Sequence, residues 1–349
     1  MKISYCCLGQ IDDFITSLYI ISNPEYIKRR MKNYGFQYDN TLDDPINFLK
    51  ENSENRIEDI NLYFNEEAPI SWGFLKDEEM FNFSSIESMI SYISALTENN
   101  IKERFIDNLL EKKDIRISSE KASKIMESNI EFLKLIKTIN ISDSTKWNVF
   151  CFLDDIKEYK VKFVELLNSH LAVFKQISER YSKDIEKTKN HLEDMIKNQG
   201  TEYLNKIYNN TVNLLEIDEL YICPEFISPY TLAYHVIENK CYLLVGLNYE
   251  ESVKKFFGED EIEKNLLILR NISDRTRFEI IKMLLESKCY GLEIANNLGI
   301  TTATVSHHMN YLSMCNLVTL ERKDRKIFYT LNMETIKNAF KFLSSQIDL

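Results

Sequence analysis

The chain has 349 residues, 44% of them apolar and 28% charged, enough for two or more folded domains each with its own core. No apolar run nears the roughly 20 residues that a membrane span needs. The opening Met1-Lys2-Ile3-Ser4-Tyr5-Cys6-Cys7-Leu8 soon meets Asp12 and Asp13 and does not read as a secretory leader, so a cytoplasmic protein with no membrane partner is expected. A net charge of −11 would disfavour nucleic acid, but the sign is uneven: there are 12 basic and 10 acidic residues from Glu261 on, against 31 and 44 before it.

Glycine and proline are sparse, and long stretches repeat apolar residues three and four apart, which predicts a mainly α fold. In chain order, a helix is expected from Gln10 to Ile21, then one opened by Asn23-Pro24 with Asn23 as its cap, then one from Ser84 to Thr97 capped by Ser84 or Ser85. Trp72, with Ile70, Phe74 and Leu75, is expected in the core rather than around a pocket. The longest periodic segment, about Asp155 to Lys197, places Ile156, Phe163, Leu167, Leu171, Phe174, Ile177, Tyr181, Ile185, Leu192 and Met195 on one face. Bulky aromatics suit a spine packed inside the chain better than a two-stranded seam, with a partner helix as the alternative. His170 and His191 lie on this spine and His235 farther on, and all three are expected to be structural.

After Gly200 the pattern shifts to short β-rich runs, Val212 to Cys223 and Lys240 to Leu247, with Thr231 to Ile237 between them and Asn239-Lys240 as a hairpin turn. Pro224 and Pro229 are expected in the connecting loop. Asn248 to Asp260 then leads into a second domain. The expected division is 1–258, helical with a small β-sheet near 212–247, and 259–349. The seven cysteines are odd in number, scattered and mostly set in apolar runs, and the Cys6-Cys7 pair reads as free thiols in a reducing compartment.

Four signals in the last ninety residues arrive in a telling order. Ser273-Asp274 caps an amphipathic helix beginning at Arg275, with Phe278, Ile281, Leu284 and Leu285 expected inward. Leu292 to Leu298 is a short helix ending at Gly299, a residue suited to a left-handed cap. Thr301 can cap a third helix whose Val305, Met309 and Leu312 form the buried stripe, leaving Thr302, Ala303, Ser306, His307 and Asn310 outward. Two apolar strands then flank a tip holding Arg322, Lys323, Arg325 and Lys326, a wing able to meet phosphate or the minor groove. This is a winged helix-turn-helix, and double-stranded DNA is the expected partner.

Ile272-Ser273-Asp274-Arg275-Thr276-Arg277, Glu293-Ile294-Ala295, Thr304-Val305-Ser306-His307-His308-Met309 and Phe328-Tyr329-Thr330-Leu331 together resemble the ArsR family of winged-helix repressors across roughly Glu261 to Leu349. The resemblance implies a homodimer paired through the first and last helices of the domain, which suits Ile336, Ala339, Phe340, Phe342 and Leu343. It also implies that Thr302, Ala303, Ser306 and His307 lie in the groove; with them, Thr301, Thr304, Asn310, Arg322, Lys323, Arg325, Lys326 and Tyr329 complete the expected DNA-binding set. Metal-sensing members carry a Cys-x-Cys pair before the turn. Here those positions hold Tyr290 and Leu292, with Cys289 alone, so neither metal nor cofactor is expected. The region before Asp260 more loosely resembles a helical domain found ahead of some ArsR-type domains. No phosphate-binding glycine loop, HExxH, GxSxG or nucleophile-histidine pair is present, so an enzyme is not expected. The N-terminal domain is read as the place where a small-molecule or protein effector acts, with a pure oligomerisation or interaction module as the alternative.

Overall fold

Segments with apolar residues three and four apart fold as helices, and among the described residues strand is confined to two small sheets. The structure, a computed structural model, describes residues 2–26, 28–29, 43–113, 115, 117–200, 203, 217–230, 232–251, 261–323 and 326–347. It is mainly α, a C-terminal winged helix-turn-helix preceded by a larger helical region with a small sheet. Strand β1 (Lys2–Tyr5) leads into α1 (Leu8–Ser22), α2 (Asp43–Glu51), α3 (Ile57–Phe64), α4 (Ile86–Ala95), α5 (Glu98–Lys112), α6 (Ser119–Glu127), α7 (Asn129–Ile136) and α8 (Asp143–Asp154). The spine follows as α9 (Ile156–Arg180) and α10 (Ser182–Gln199), then strands β2 (Glu219–Glu225), β3 (Leu232–Ile237) and β4 (Lys240–Gly246).

The spine packs inside the chain. Phe163, Leu166, Leu167, Phe174 and Ile177 are buried, and the Phe163 ring lies 4.7 Å from that of Tyr63 and 4.6 Å from that of Phe74. It is two helices, not one, because the chain turns at Tyr181, whose ring stacks on Phe226 at 4.8 Å and closes the core there. Ile70 and Phe74 are fully buried, so the cluster around Trp72 is core. Ser85 opens α4 with a capping box to Ser88, as its sequence suggested. Asn23 does something else: its amide donates to Tyr19 O (2.9 Å) and Phe64 O (2.7 Å), closing α1 and tying it to α3. Most of the helix it was expected to open lies outside the described residues.

The sheet order is β1-β2-β4-β3, with β1 and β4 both parallel to β2 and β3 antiparallel to β4. The first residues of the chain thus pair with residues over two hundred positions away, which local pattern could not announce. Residues 212–216 of the expected first strand lie outside the described residues. The hairpin turn is Glu238-Asn239, one residue earlier than expected, with Glu238 at a positive φ of 55°. Pro224 stands inside β2, paired in register with Val245, and not in the loop. β1 ends opposite Ile222, so at Pro224 that edge of β2 has no strand partner and the missing N–H costs no ladder bond.

Asp13 of α1 anchors the end of this sheet. Its buried carboxylate accepts the backbone N–H groups of Phe226 (2.8 Å) and Ile227 (2.9 Å), just where β2 turns away. One turn later, Ser17 Oγ donates to Phe14 O (2.7 Å) and therefore accepts from His170 Nε2 (2.7 Å). His170 Nδ1 has no hydrogen-bond partner among the described residues, and burial pushes the imidazole down to about 3 from its ordinary 6.5.

Because its folded value lies below its unfolded one, His170 binds fewer protons in the native state between those limits. Its contribution to stability is complete above about pH 6.5 and is lost as the pH falls. Wild type should lose about 2 kcal/mol more than His170→Gln between pH 7 and pH 5 in urea unfolding; equal losses would mean that the ring is not buried neutral.

Candidate nucleic-acid interface

The C-terminal elements are α11 (Glu261–Ser273), α12 (Arg275–Glu286), β5 (Cys289–Tyr290), α13 (Gly291–Leu298), α14 (Thr302–Met314), β6 (Val318–Lys323), β7 (Lys326–Leu331) and α15 (Met333–Gln346). They enclose a hydrophobic core of their own, built from Ile268, Ile280, Ile281, Leu284, Ile294, Val305, Met309, Leu312, Leu317 and Ala339 among others. Asp274 caps α12 by accepting from the Arg277 amide (3.0 Å). The phase of α12 differs from expectation at its ends. Ile280, Ile281 and Leu284 are buried, while Phe278 and Leu285 are 47% and 57% exposed.

The tight turn forms as its residues require. Gly299 adopts φ 65°, ψ 31°, the left-handed cap that a side chain would strain, and Ile300 donates back to Ala295 O (3.1 Å). Thr301 then caps α14, its hydroxyl oxygen accepting from Thr304 N (3.1 Å). Val305, Met309 and Leu312 are buried to 1% or less, which fixes the rotation of α14 about its axis and sets Ser306 in solvent. Thr304 is half-buried beside the cap. For Thr302 and Ala303 in the first turn of α14, and for His307 and Asn310 farther along it, the description is of backbone alone.

A polar bracket that the sequence did not single out holds α14 against α11 and α12. The Arg277 guanidinium donates to Asn271 O (3.1 Å) and lies 5.1 Å from the centre of the Tyr311 ring. The buried Asn271 amide donates to Leu267 O (2.9 Å) and to Cys315 Sγ (3.0 Å). Burial pushes the Cys315 thiol up to about 12, which makes it a packing residue rather than a nucleophile. His308 Nδ1 stands 3.9 Å from Asp274 Oδ1, and its side chain is largely buried.

The β6–β7 pair of the second sheet makes the wing. β6 and β7 run antiparallel with Lys323 opposite Lys326. Asp324 and Arg325 lie outside the described residues, and Arg322, Lys323 and Lys326 are described by backbone only. β5 joins the other edge of β7 and completes the order β5-β7-β6. Tyr329, expected at the DNA, sits at the base of the wing between Cys289 and Leu320 in register, half-buried on the core.

Residues 274–319 match the model of the bacterial regulatory protein arsR family. The C-terminal region carries an ArsR-family helix-turn-helix. The chain is similar there to the transcriptional repressor SdpR of Bacillus subtilis, 27% identical over 81 residues, 23% of this chain and 90% of that protein. It is 37% identical over 62 residues to the HTH-type transcriptional regulator CmtR of Mycobacterium tuberculosis, 18% of this chain and 52% of that one, so it spans about half the length of CmtR. A solved structure of HlyU from Vibrio cholerae is 23% identical, covers 26% of this chain and 99% of its own, and has a TM-score of 0.22. The ArsR-type match makes the chain a DNA-binding transcription regulator. Its matched segment runs from the Asp274 cap through α14 to Thr319 in β6.

Thr301→Ala should destabilise the C-terminal domain by about 1 kcal/mol through loss of the α14 cap, read as an earlier thermal transition. An unchanged transition would mean that the cap does not hold this helix.

Proposed function

We propose that the chain is a homodimeric, sequence-specific repressor of the ArsR type, with 259–349 as its DNA-binding domain and 1–258 as its regulatory domain. α14 enters the major groove, and the Arg322 to Lys326 tip lies on the backbone or in the minor groove. The observation that carries this reading is the seating of α14. Its inward stripe is fully used in packing, which leaves the side with Ser306 for base edges and the first turn for a phosphate. The uneven charge fits too, since the excess of acidic residues lies before Glu261.

Dimerisation is supported by α11 and α15, which pack on each other and leave Ile262, Leu266 and Phe340 exposed. Of the α15 residues expected at a dimer face, Ala339 and Ile336 turn to the domain's own core, Phe342 and Leu343 are half-buried, and Phe340 is free for a partner. Repression is the role in SdpR's name, and activation is the role in that of HlyU from Vibrio cholerae, so a reporter assay separates the two. Regulation without metal is read through the larger region, where a cleft of about 460 Å³ between the starts of α1 and α4 and the side of α9 offers Gln10, Ser85, Lys175 and Ser178 to an effector. We place no catalytic step in the chain, and we place the protein in the cytoplasm.

Neutralising Arg322, Lys323, Arg325 and Lys326 together should weaken binding roughly tenfold or more on every duplex and make the fall of affinity with salt shallower. Ser306→Ala with His307→Ala should instead cost about 1 to 3 kcal/mol on the preferred site and little on random DNA. Fluorescence anisotropy over a salt series reads both. An unchanged salt slope in the first variant, or equal losses on both duplexes in the second, would contradict the assignment.

A further inference from the structure

The Cys6-Cys7 pair is not a unit. Cys7 donates its thiol to Phe83 O (3.0 Å), while the Cys6 sulfur turns the other way and meets Cys223 Sγ at 3.2 Å. Register explains the meeting. β1 and β2 pair in parallel up to Tyr5 opposite Ile222, and the next step along both chains sets Cys6 beside Cys223. Neighbouring strands lie about 4.8 Å apart, inside the Cα separation of about 4.4 to 6.8 Å that a disulfide accepts. The sulfurs have only about 1 Å left to close.

The surroundings favour reaction at Cys6. The pair sits at the N-terminus of α1, where the backbone amide of Leu8 faces the Cys6 sulfur and that of Gly9 faces Cys223. Gly9 is required for this approach, because a Cβ there would fall 2.5 Å from Pro224 O. The Cys223 thiol hydrogen-bonded to it lowers Cys6, aided by the Leu8 amide and the Lys189 cation. Burial pushes Cys7, Cys241 and Cys315 the other way. Cys6 is half-buried and reachable, whereas Cys223 is fully buried behind it, the arrangement of an attacking thiol with a resolving one.

We propose that Cys6 and Cys223 are a redox modification site that reacts with a peroxide and closes to an intramolecular disulfide. The Cys6 thiolate attacks one peroxide oxygen, the O–O bond breaks, and the departing oxygen leaves as water after taking up a proton. The resulting Cys6 sulfenic acid is attacked by the Cys223 sulfur, the S–O bond breaks, and its oxygen leaves as a second water carrying the thiol proton. Two thiols are oxidised by two electrons while one peroxide is reduced to two waters, and a dithiol reverses the step. The bond ties the first strand to β2 at the point where α1 docks, so it locks the N-terminal edge of the sheet.

The test is titration of the reduced full-length chain with hydrogen peroxide, followed by denaturation, alkylation of remaining thiols and peptide mapping. The expected result is a peptide joining Cys6 to Cys223, formed while Cys7, Cys241 and Cys315 are still alkylated, lost on dithiothreitol treatment and kept in Cys7→Ser. In Cys223→Ser, dimedone should trap a sulfenic acid on Cys6. A Cys6-Cys7 link, a chain-to-chain link, oxidation of Cys6 with Cys223 still alkylated in the wild type, or no oxidation of Cys6 would each overturn the proposal. Because these readouts need no DNA, they stand or fall separately from the proposed regulator.

Discussion

The packing of Val305, Met309 and Leu312 under α14 is the constraint on which the proposed DNA-facing surface depends. A helix has one rotation about its axis at which three such side chains are all dry, and that rotation decides which residues remain for a ligand. Gly299 and Thr301 set where the helix starts, and the bracket from Arg277 through Asn271 to Cys315 sets how it leans on α11 and α12. None of these groups needs to touch DNA to matter, because a readout face held loosely would lose its geometry.

A comparable constraint governs the larger region. Its sheet is assembled from the two ends of a long stretch of chain, β1 with β2, and α1 is held against it by the Asp13 carboxylate on the Phe226 and Ile227 amides. α10 covers the opposite face through Leu192 and Ile196, which pack with Leu220, Ile222 and Leu243. α9 carries the main core on its Phe163 to Ile177 side. The Ser17 to His170 bond links α1 to that spine, so the sheet edge, the first helix and the spine form one connected unit.

What could be read in the sequence was what short-range physics determines. Apolar spacing gave the helical class, and side-chain caps at Ser85, Asp274 and Thr301 and the glycine at 299 act as their chemistry predicts. Features decided by distant partners were not readable. Four residues of β1 are too few for an alternation signal, the Asn23 side chain serves Tyr19 O and Phe64 O and not the start of the next segment, and Pro224 entered a strand because β1 stops short of it. Tyr181 broke a continuous periodicity because its ring had Phe226 to stack on. Phe278 and Leu285 fit the amphipathic stripe as well as their neighbours do, and only the placement of α11 and the sheet shows that the core ends before them. The meeting of Cys6 with Cys223 belongs to the same class, since it follows from strand register alone.

The most direct measurement is selection of duplexes from a random pool by the purified full-length chain, followed by sequencing. A homodimer reading DNA through α14 should enrich an inverted repeat whose half-sites lie about 10 base pairs apart, one helical turn, or a multiple of that. Enrichment of no sequence, with random duplex retained as well as the selected pool, would contradict it.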